Sequence, residues 1–190
     1  MQSQRVGVEV EATHESYERL VTPILEEAGL AGPRDASPYV AHIVLDYPLT
    51  WALARLEACD SLLRARTLVM TPSSHPAYHD CLASFHVAAV VTSTDQPAIL
   101  SGVYAAATAQ RTYQWKSGLT YMELRVARLI LQGNSTREAA VRLSIAGKTV
   151  NAHVSNILTK LGFETRAQLI AALLGSQRVP STGSDAERER

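Results

Sequence analysis

The chain of 190 residues has few of the residue types that define several protein classes. Its only two cysteines, Cys59 and Cys81, stand apart without a Cys-x-x-Cys or Cys/His ligand spacing. A disulfide framework or a structural zinc site is therefore not expected, and we predict that both are buried small hydrophobic residues. No apolar run approaches the roughly 20 residues that cross a bilayer. The first ten residues lack the basic start and apolar centre of a signal peptide. We expect a cytoplasmic protein with no membrane partner.

An excess of one charge is also missing, because 18 Lys and Arg residues balance 18 Asp and Glu residues. The balance conceals a division along the chain. Residues 1–118 hold 8 basic and 12 acidic side chains, whereas residues 119–175 hold 7 and 3. An acidic front half joined to a basic back half indicates a regulatory module attached to a module that contacts a polyanion. Residues 176–190 are rich in Ser, Gly, Pro and charge, and we predict a disordered tail.

The basic segment carries two clear helix-start signals. Thr120 is followed three residues later by Glu123, and Ser135 is followed in the same way by Glu138, so each pair fits a capping box. Glycines and the apolar period set the other boundaries. The pattern predicts four helices, at residues 121–132, 136–143, 148–161 and 166–174. Short helices with a tight Gly-containing turn between the second and the third are typical of a helix-turn-helix unit.

The third predicted helix has two different faces. Its apolar positions, which should face the other helices, are Val150, Val154, Ile157, Leu158 and Leu161. The opposite face is mostly small and polar, and it consists of Lys148, Asn151, Ala152, Ser155 and Thr159. Small side chains allow a helix backbone to come close to base edges in a major groove about 12 Å wide.

These features together resemble the LuxR-type DNA-binding domain found at the C-terminus of many bacterial transcription regulators. The matching residues are Leu119-Thr120 with Glu123, Gly133-Asn134-Ser135 with Glu138-Ala139-Ala140, Lys148-Thr149-Val150, His153-Val154, and Lys160-Leu161-Gly162 with Arg166-Ala167-Gln168. They follow one another at the family's spacing from Leu119 to Leu174. The resemblance implies a four-helix, all-α domain over residues 119–175.

The resemblance also assigns roles on the third helix. It implies that Lys148 and Thr149 contact DNA phosphates, and that the residues facing the bases are Asn151, Ala152 and Ser155. By its chemistry, Asn151 can bond an adenine edge through two hydrogen bonds, and Ala152 can contact a thymine methyl group. Further candidates for contact with the DNA backbone are Arg137, Lys160 and Arg166.

Two departures from the family pattern concern the recognition helix. Ala146, followed by Gly147, stands where the family usually places a capping Ser or Thr. The loss of such a cap costs about 1 kcal/mol. Asn151 stands where Lys or Arg is frequent, so binding by one copy should be weak and should depend on a dimer. The alternative is that the four helices form a partner surface that has lost DNA binding.

The front half alternates strands and helices, which predicts a parallel sheet with covering helices in an α/β domain over residues 1–111, followed by a linker at 112–118. The predicted strands are residues 5–10, 39–45, 67–70 and 85–91, and the predicted helices are residues 14–28, 49–64, 76–84 and 96–110.

Residues 66–113 look like the last two strand-helix units of a response-regulator receiver domain. Between Gly29 and Asp46 there is room for only one strand and no helix, so one unit is missing. In the receiver strand order 2-1-3-4-5, loss of the second unit places the first strand at an edge.

Receiver phosphorylation needs a carboxylate acceptor, an acidic pair for Mg²⁺, a hydroxyl group and a lysine. Asp46 aligns with the acceptor and Thr71 with the hydroxyl position. Thr92 replaces the lysine, and Glu9 and Glu11 replace the adjacent acids. Without that lysine a phosphoryl group loses its main cation, and Mg²⁺ has a poor oxygen cage. We therefore expect Asp46 to be a hydrogen-bonding residue at a strand end and not an ordinary phosphoacceptor.

A histidine-rich stretch contains His75, His79, Cys81 and His86. Histidines four residues apart can share a helix face as metal ligands do, but His75 precedes Pro76. We predict exposed helix residues and no metal site. The sequence has no Ser/His/Asp or Cys/His arrangement and no Gly-rich phosphate loop, so neither an enzyme nor a cofactor is expected.

The sequence predicts a DNA-binding transcription regulator whose shortened receiver-like domain controls a LuxR-type domain. The expected partners are double-stranded DNA with an imperfect palindrome and a second copy of the chain, and RNA polymerase is a further candidate. Two stripes could form the dimer interface: Ile99, Leu100, Val103, Tyr104 and Ala107, or Leu169 and Ala172. Periodicity does not choose between them, since both stripes could also be core. The alternative is a signalling interaction protein whose front domain binds a protein or a small ligand.

Overall fold

The structure is a computed structural model that describes residues 6–30, 40–92 and 95–175. The predicted disordered tail, residues 176–190, lies outside the described residues. In the front half the elements are β1 (Gly7–Glu11), α1 (Glu15–Glu27), β2 (Val40–Leu45), α2 (Trp51–Ala58), α3 (Ser61–Ala65), β3 (Thr67–Thr71), α4 (Pro76–Ala83), β4 (Ala89–Thr92) and α5 (Gln96–Ala107). In the back half they are α6 (Tyr121–Leu131), α7 (Thr136–Leu143), α8 (Gly147–Leu161) and α9 (Arg166–Leu173).

The front half is a four-stranded sheet in the order β1-β2-β3-β4, and all three strand pairs are parallel. The predicted α/β class and the edge position of the first strand are confirmed. The register pairs Val8 with Ala41, Ile43 with Leu68, and Met70 with Val91. Because the strands are parallel, Asp46 and Thr71, which end β2 and β3, come to the same edge of the sheet.

Each face of this sheet has its own apolar core. On one face α1 and α5 pack over the strands through buried residues such as Val21, Leu25 and Ile99. Gly102 allows α5 to come close to the sheet, since a Cβ atom at this position would lie 2.6 Å from Leu68 Cδ1. On the other face α2 and α4 pack over Val44 and Val69, and this core continues into the back half.

The packing of α5 shows that most of the first candidate stripe is core, the alternative that the sequence leaves open. Ile99, Val103 and Ala107 are fully buried in the core of the front half, because α5 turns them toward the sheet. Tyr104, on the opposite side of α5, is 53% exposed. In the second stripe Leu169 is also buried in the core of its own domain.

Two element boundaries in the front half differ from the predictions. The single helix predicted at residues 49–64 is two helices, because the Asp60 carboxylate accepts a hydrogen bond from the Leu63 amide at 2.8 Å and starts α3. The last strand begins at Ala89 and not at residue 85, because His86 adopts a left-handed backbone conformation (φ 67°) that ends the turn after α4.

The four helices of the back half follow the predicted starts and ends closely. Both capping boxes are present, at Thr120 with Glu123 and at Ser135 with Glu138. The core helix α6 packs against α8, and α7 packs against α8 across a turn in which Ser144 is left-handed. Within the described ranges, no helix combines the length and the apolar character needed to cross a membrane.

Candidate nucleic-acid interface

Helix α8 divides into the two faces that its sequence predicts. Val150 and Ile157 are buried against the other helices, and Val154, Leu158 and Leu161 pack at the margin of the same core. On the opposite face Lys148, Asn151, Ala152 and Ser155 are exposed, and Thr149 is half-buried. The exposed residues follow one another along one side of a helix of 15 residues and are open to a partner. We call this surface, defined by Lys148, Thr149, Asn151, Ala152 and Ser155, the α8 stripe.

The start of α8 has no side-chain cap. Ala146 is the N-cap residue and no side chain accepts a hydrogen bond from the first turn, as the sequence predicts. The first amides of a helix carry a partial positive charge and bind anions. Lys148 adds a full positive charge to this end of the stripe.

The three further candidates for DNA backbone contact have different surroundings. The Lys160 ammonium forms an ion pair with Glu123 Oε2 at 2.7 Å and also donates to the carbonyl of Gly118 at 3.4 Å. Arg166 donates to the carbonyl of Asn134. Both therefore contribute to the structure of their own domain. Arg137 is exposed, and no ion pair holds it among the described residues.

The ion pair with Lys160 also sets the ionisation of Glu123. Burial alone would raise the pKa of this carboxyl, but hydrogen bonds from Lys160 and Thr120 outweigh burial and lower it. Glu123 is thus held in the charged form that caps α6 and pairs with Lys160.

The segment that joins the two halves is held by a buried carboxylate of α4. Asp80, with 0% exposure, accepts hydrogen bonds from Tyr113 Oη at 2.7 Å, from the Lys116 amide at 3.1 Å and from the Ser117 amide at 2.7 Å. The predicted linker is therefore attached to the front domain over much of its length. We call Asp80 with Tyr113, Lys116 and Ser117 the linker anchor.

Two more polar contacts fix the back domain on the front domain. The Arg128 guanidinium of α6 donates to Ser84 Oγ at 2.9 Å and lies 4.0 Å from the centre of the Phe85 ring. The Ser73 hydroxyl donates to the carbonyl of Leu173, near the end of α9, at 2.7 Å, and this contact is buried. With the shared apolar core these contacts dock the two halves while the α8 stripe stays exposed.

Asp46 is enclosed and fully hydrogen-bonded. The residue is 1% exposed. Its Oδ1 accepts from the Ala52 amide at 3.0 Å, and its Oδ2 accepts from Thr71 Oγ1 at 2.9 Å and from Tyr78 Oη at 2.7 Å. Burial raises the pKa of Asp46, and the three hydrogen bonds oppose that effect without overcoming it. The bond to Thr71 agrees with the sequence alignment of these two residues. Tyr78, which closes the site, was not predicted.

The acids at the end of β1 have other partners. Glu11 lies 3.0 Å from His42 Nε2 and also pairs with the Arg55 guanidinium. Thr92, at the position of the receiver lysine, is half-buried at the end of β4 and brings no positive charge. Asp46 therefore has hydroxyl and amide donors around it in place of a cation.

The prediction that His75 and His79 are exposed is wrong. His79 is buried and donates from Nε2 to the Ser73 carbonyl at 2.6 Å, and His75 is a half-buried N-cap whose Nδ1 accepts from the Ala77 amide. Burial lowers the pKa of both, which favours the neutral rings that these bonds use. Cys59 and Cys81 are buried free thiols, as predicted.

Sequence reasoning did not find Asp80, Arg128 or Ser73 as interdomain contacts. The available signal is faint: an Asp lies inside a short helix in which seven of the eight residues are buried. A fully buried carboxylate needs donors, and those donors come from residues 33 to 37 positions away. Such pairing is visible only once the chain is folded.

The fold and the α8 stripe define a class of protein: an α/β domain docked on a helix-turn-helix domain whose third helix presents an exposed face. The sequence comparisons are specific for the second domain. Residues 117–173 match the family described as bacterial regulatory proteins, luxR family. The spore germination protein GerE of Bacillus subtilis is 40% identical over 65 residues, which are 34% of this chain and 88% of that protein.

The chain belongs to the LuxR family of bacterial regulatory proteins. A further relative is the DNA-binding transcriptional activator DevR/DosR of Mycobacterium tuberculosis, 39% identical over 69 residues, which cover 35% of this chain and 32% of that protein. The matched residues form the helix-turn-helix domain of the chain, and the match confirms the LuxR-type resemblance of that domain.

Solved structures match both domains together. A structure of two RcsB dimers bound to two parallel DNAs covers 89% of this chain and 98% of that chain, with a TM-score of 0.53 and 17% identity. A structure of RcsB from Salmonella enterica serovar Typhimurium, bound to promoter rprA in the presence of phosphomimetic BeF₃⁻, has a TM-score of 0.53 and 16% identity. The match covers 91% of this chain and 100% of that chain. At this level of identity the likeness shows the fold alone.

Proposed function

We propose that the chain is a sequence-specific transcription regulator that binds DNA in the cytoplasm as a homodimer and that its front domain acts without phosphorylation of Asp46. The exposed α8 stripe on a LuxR-type domain is the observation that carries the proposal. Asn151, Ala152 and Ser155 would read base edges, and RNA polymerase would be the partner through which a bound dimer changes transcription.

Contact with phosphates is supported by the start of α8. The first turn has amides that no side chain caps, and Lys148 and Thr149 lie in that turn. A phosphate at this position would receive amide hydrogen bonds and the charge of Lys148. Arg137 of α7 is exposed and adds a second cation for the DNA backbone. Lys160 and Arg166 would contribute indirectly, by holding the helices that carry the stripe.

A dimer follows from the small charge of one stripe. Each copy presents only one cation on the stripe, Lys148, so a single helix neutralises few phosphates. Two copies on an imperfect palindrome would double the contacts and place two recognition helices in successive major grooves. The docked front domain leaves the stripe exposed, so regulation would act on how two copies are placed and not by covering α8.

Independence from phosphorylation is supported by the surroundings of Asp46. Oδ2 of Asp46 accepts from Tyr78 and Thr71, Oδ1 accepts from the Ala52 amide, and the residue is 1% exposed, so neither oxygen is open to a phosphodonor. Thr92, at the position of the receiver lysine, carries no positive charge. Glu11 is already paired with His42 and Arg55. A phosphodonor would have to break these bonds and would find no lysine at position 92 for the product.

The docking contacts support control of the back domain by the front domain. Asp80 holds the linker, Arg128 joins α6 to the turn after α4, and Ser73 joins the front domain to α9. All three contacts involve α4 or the segments at its two ends. A protein or ligand that moves α4 would therefore change the placement of the recognition helix.

Two substitutions in the α8 stripe separate base reading from phosphate binding. Asn151→Ala is expected to lower the preference for the selected site over single-base variants by about 1–3 kcal/mol at one position. Lys148→Ala is expected to weaken all DNA sequences alike and to reduce the salt slope by about 1. Competition binding with a selected site and its single-base variants measures both. An equal loss for every sequence in both variants would contradict the assignment.

Phosphate analogues test the front domain. We expect acetyl phosphate or BeF₃⁻ with Mg²⁺ to leave the dimer fraction and the DNA affinity unchanged, because Asp46 is enclosed and has no nearby lysine. Sedimentation velocity and binding assays with and without the reagent measure these quantities. A rise in the dimer fraction that disappears in Asp46→Asn would overturn this part of the proposal.

A further inference from the structure

One side-chain contact joins the two helices of the helix-turn-helix unit beside the α8 stripe. Thr136, the first residue of α7, donates from Oγ1 to Asn151 Oδ1 of α8 at 3.2 Å. Its methyl group lies over the start of α8, since a Cβ atom at Gly147 would be 3.9 Å from Thr136 Cγ2. Thr136 is half-buried and Asn151 is exposed. One face of the threonine is therefore fixed by packing while its hydroxyl holds the amide.

This hydrogen bond restricts where the Asn151 amide lies and leaves the rest of its hydrogen-bonding groups for a partner. A side-chain amide has an acceptor oxygen and a donor nitrogen on opposite sides, and rotation by 180° exchanges them. The threonine hydroxyl can donate to the oxygen, which draws Oδ1 toward α7. The Nδ2 group then points to the other side with both of its protons available. The second lone pair of Oδ1 is left for one further hydrogen bond.

We propose that Thr136 is a specificity-determining residue that acts by orienting the Asn151 amide for base reading. This inference rests on the proposed function, because it requires the α8 stripe to face DNA. With the amide held, Asn151 donates from Nδ2 to an acceptor such as a purine N7 and accepts through the remaining lone pair of Oδ1. Adenine offers that pair of groups in the major groove. Without the threonine hydroxyl the Asn151 side chain loses this anchor and adopts several rotamers, so the preference for one base falls.

A threonine at this place could instead bind a phosphate through its hydroxyl. The two roles predict different losses. A phosphate contact lowers the affinity for every sequence alike, whereas an orienting contact lowers the preference at one base pair. The structure favours the orienting role, because the Thr136 hydroxyl lies 3.2 Å from Asn151 Oδ1, within hydrogen-bond distance.

The test compares the full chain with Thr136→Val, Thr136→Ser, Asn151→Ala and the double variant Thr136→Val/Asn151→Ala. Valine keeps the shape and the methyl packing but removes the hydroxyl, and serine keeps the hydroxyl. Each protein is used to select from a library in which every position of the wild-type site is randomised. Thr136→Ala provides a second variant if valine disturbs the fold, and circular dichroism verifies the fold of each protein.

In the wild type we expect a preference of about tenfold at the base pair read by Asn151, within the range of one good contact between a side chain and a base. Thr136→Val should reduce this preference to about twofold. Thr136→Ser should keep it, and Thr136→Val should add nothing in the Asn151→Ala background. An unchanged preference in Thr136→Val, or an equal loss at all positions, overturns the orienting role. If the wild-type chain selects no site at all, the proposed function fails and this inference fails with it.

Discussion

Replacement of Asp80 by alanine is expected to lower the free energy of unfolding by about 3 kcal/mol and to release the linker from α4. The substitution leaves the hydroxyl of Tyr113 and the amides of Lys116 and Ser117 without their acceptor. Each buried donor without a partner costs about 1–3 kcal/mol, and access of water to the opened linker reduces the sum. The loss should appear in stability and in the coupling between the two domains.

Chemical denaturation and amide hydrogen exchange of the full chain measure the two effects. Exchange at Lys116 and Ser117 should become faster in Asp80→Ala, because their amides lose a bond inside the folded protein. Asp60→Ala is the matched control: its carboxylate caps only the exposed start of α3, and its loss should cost about 1 kcal/mol. A loss no larger than that of the control, with unchanged exchange at the linker, would show that the linker anchor is not a stabilising contact.

Asp46 should give the second large effect, and its sign depends on pH. Burial raises its pKa above the value of 3.8 that the unfolded chain retains, so the folded state holds the proton more tightly. The stabilising contribution of this group is therefore complete below pH 3.8 and is lost as the pH rises through the folded-state pKa. Asp46→Asn, which cannot ionise, should gain stability relative to the wild type over that interval.

The alanine variant at the same position separates charge from hydrogen bonding. Asp46→Ala leaves Ala52, Thr71 and Tyr78 without their acceptor and should cost about 3 kcal/mol below pH 3.8. The cost should become smaller as the pH rises through the folded-state pKa of Asp46, because the alanine variant does not ionise there. Denaturation of the three proteins at several pH values measures both effects. A wild type that gains stability over Asp46→Asn with rising pH would contradict the raised pKa.

Most of the back domain could be predicted from sequence because its signals are local. Thr120 with Glu123 and Ser135 with Glu138 start helices through contacts between residues three positions apart. The period of Val150 and Ile157 divides α8 into a core face and an exposed face. The α8 stripe follows from that division without any knowledge of the remaining fold.

The contacts that sequence could not supply are those between distant segments. Ser73 and Leu173 are 100 residues apart. The Asp80 carboxylate accepts hydrogen bonds from a linker that carries no recognisable motif. His79 was misplaced on an exposed face because α4 is covered on both sides, by the sheet and by α6. The contact of Thr136 with Asn151 was not predicted for the same reason, since Asn151 lies on the next helix.

The central claim is that the α8 stripe binds DNA with sequence preference. The most direct measurement incubates the purified full chain with random genomic fragments over a series of salt concentrations and sequences the retained DNA. We predict enrichment of an imperfect palindrome, with log affinity falling linearly with log salt at a slope that counts the neutralised phosphates. Absence of any enriched sequence, with or without acetyl phosphate, would contradict the account and would identify the back domain as a surface for protein partners.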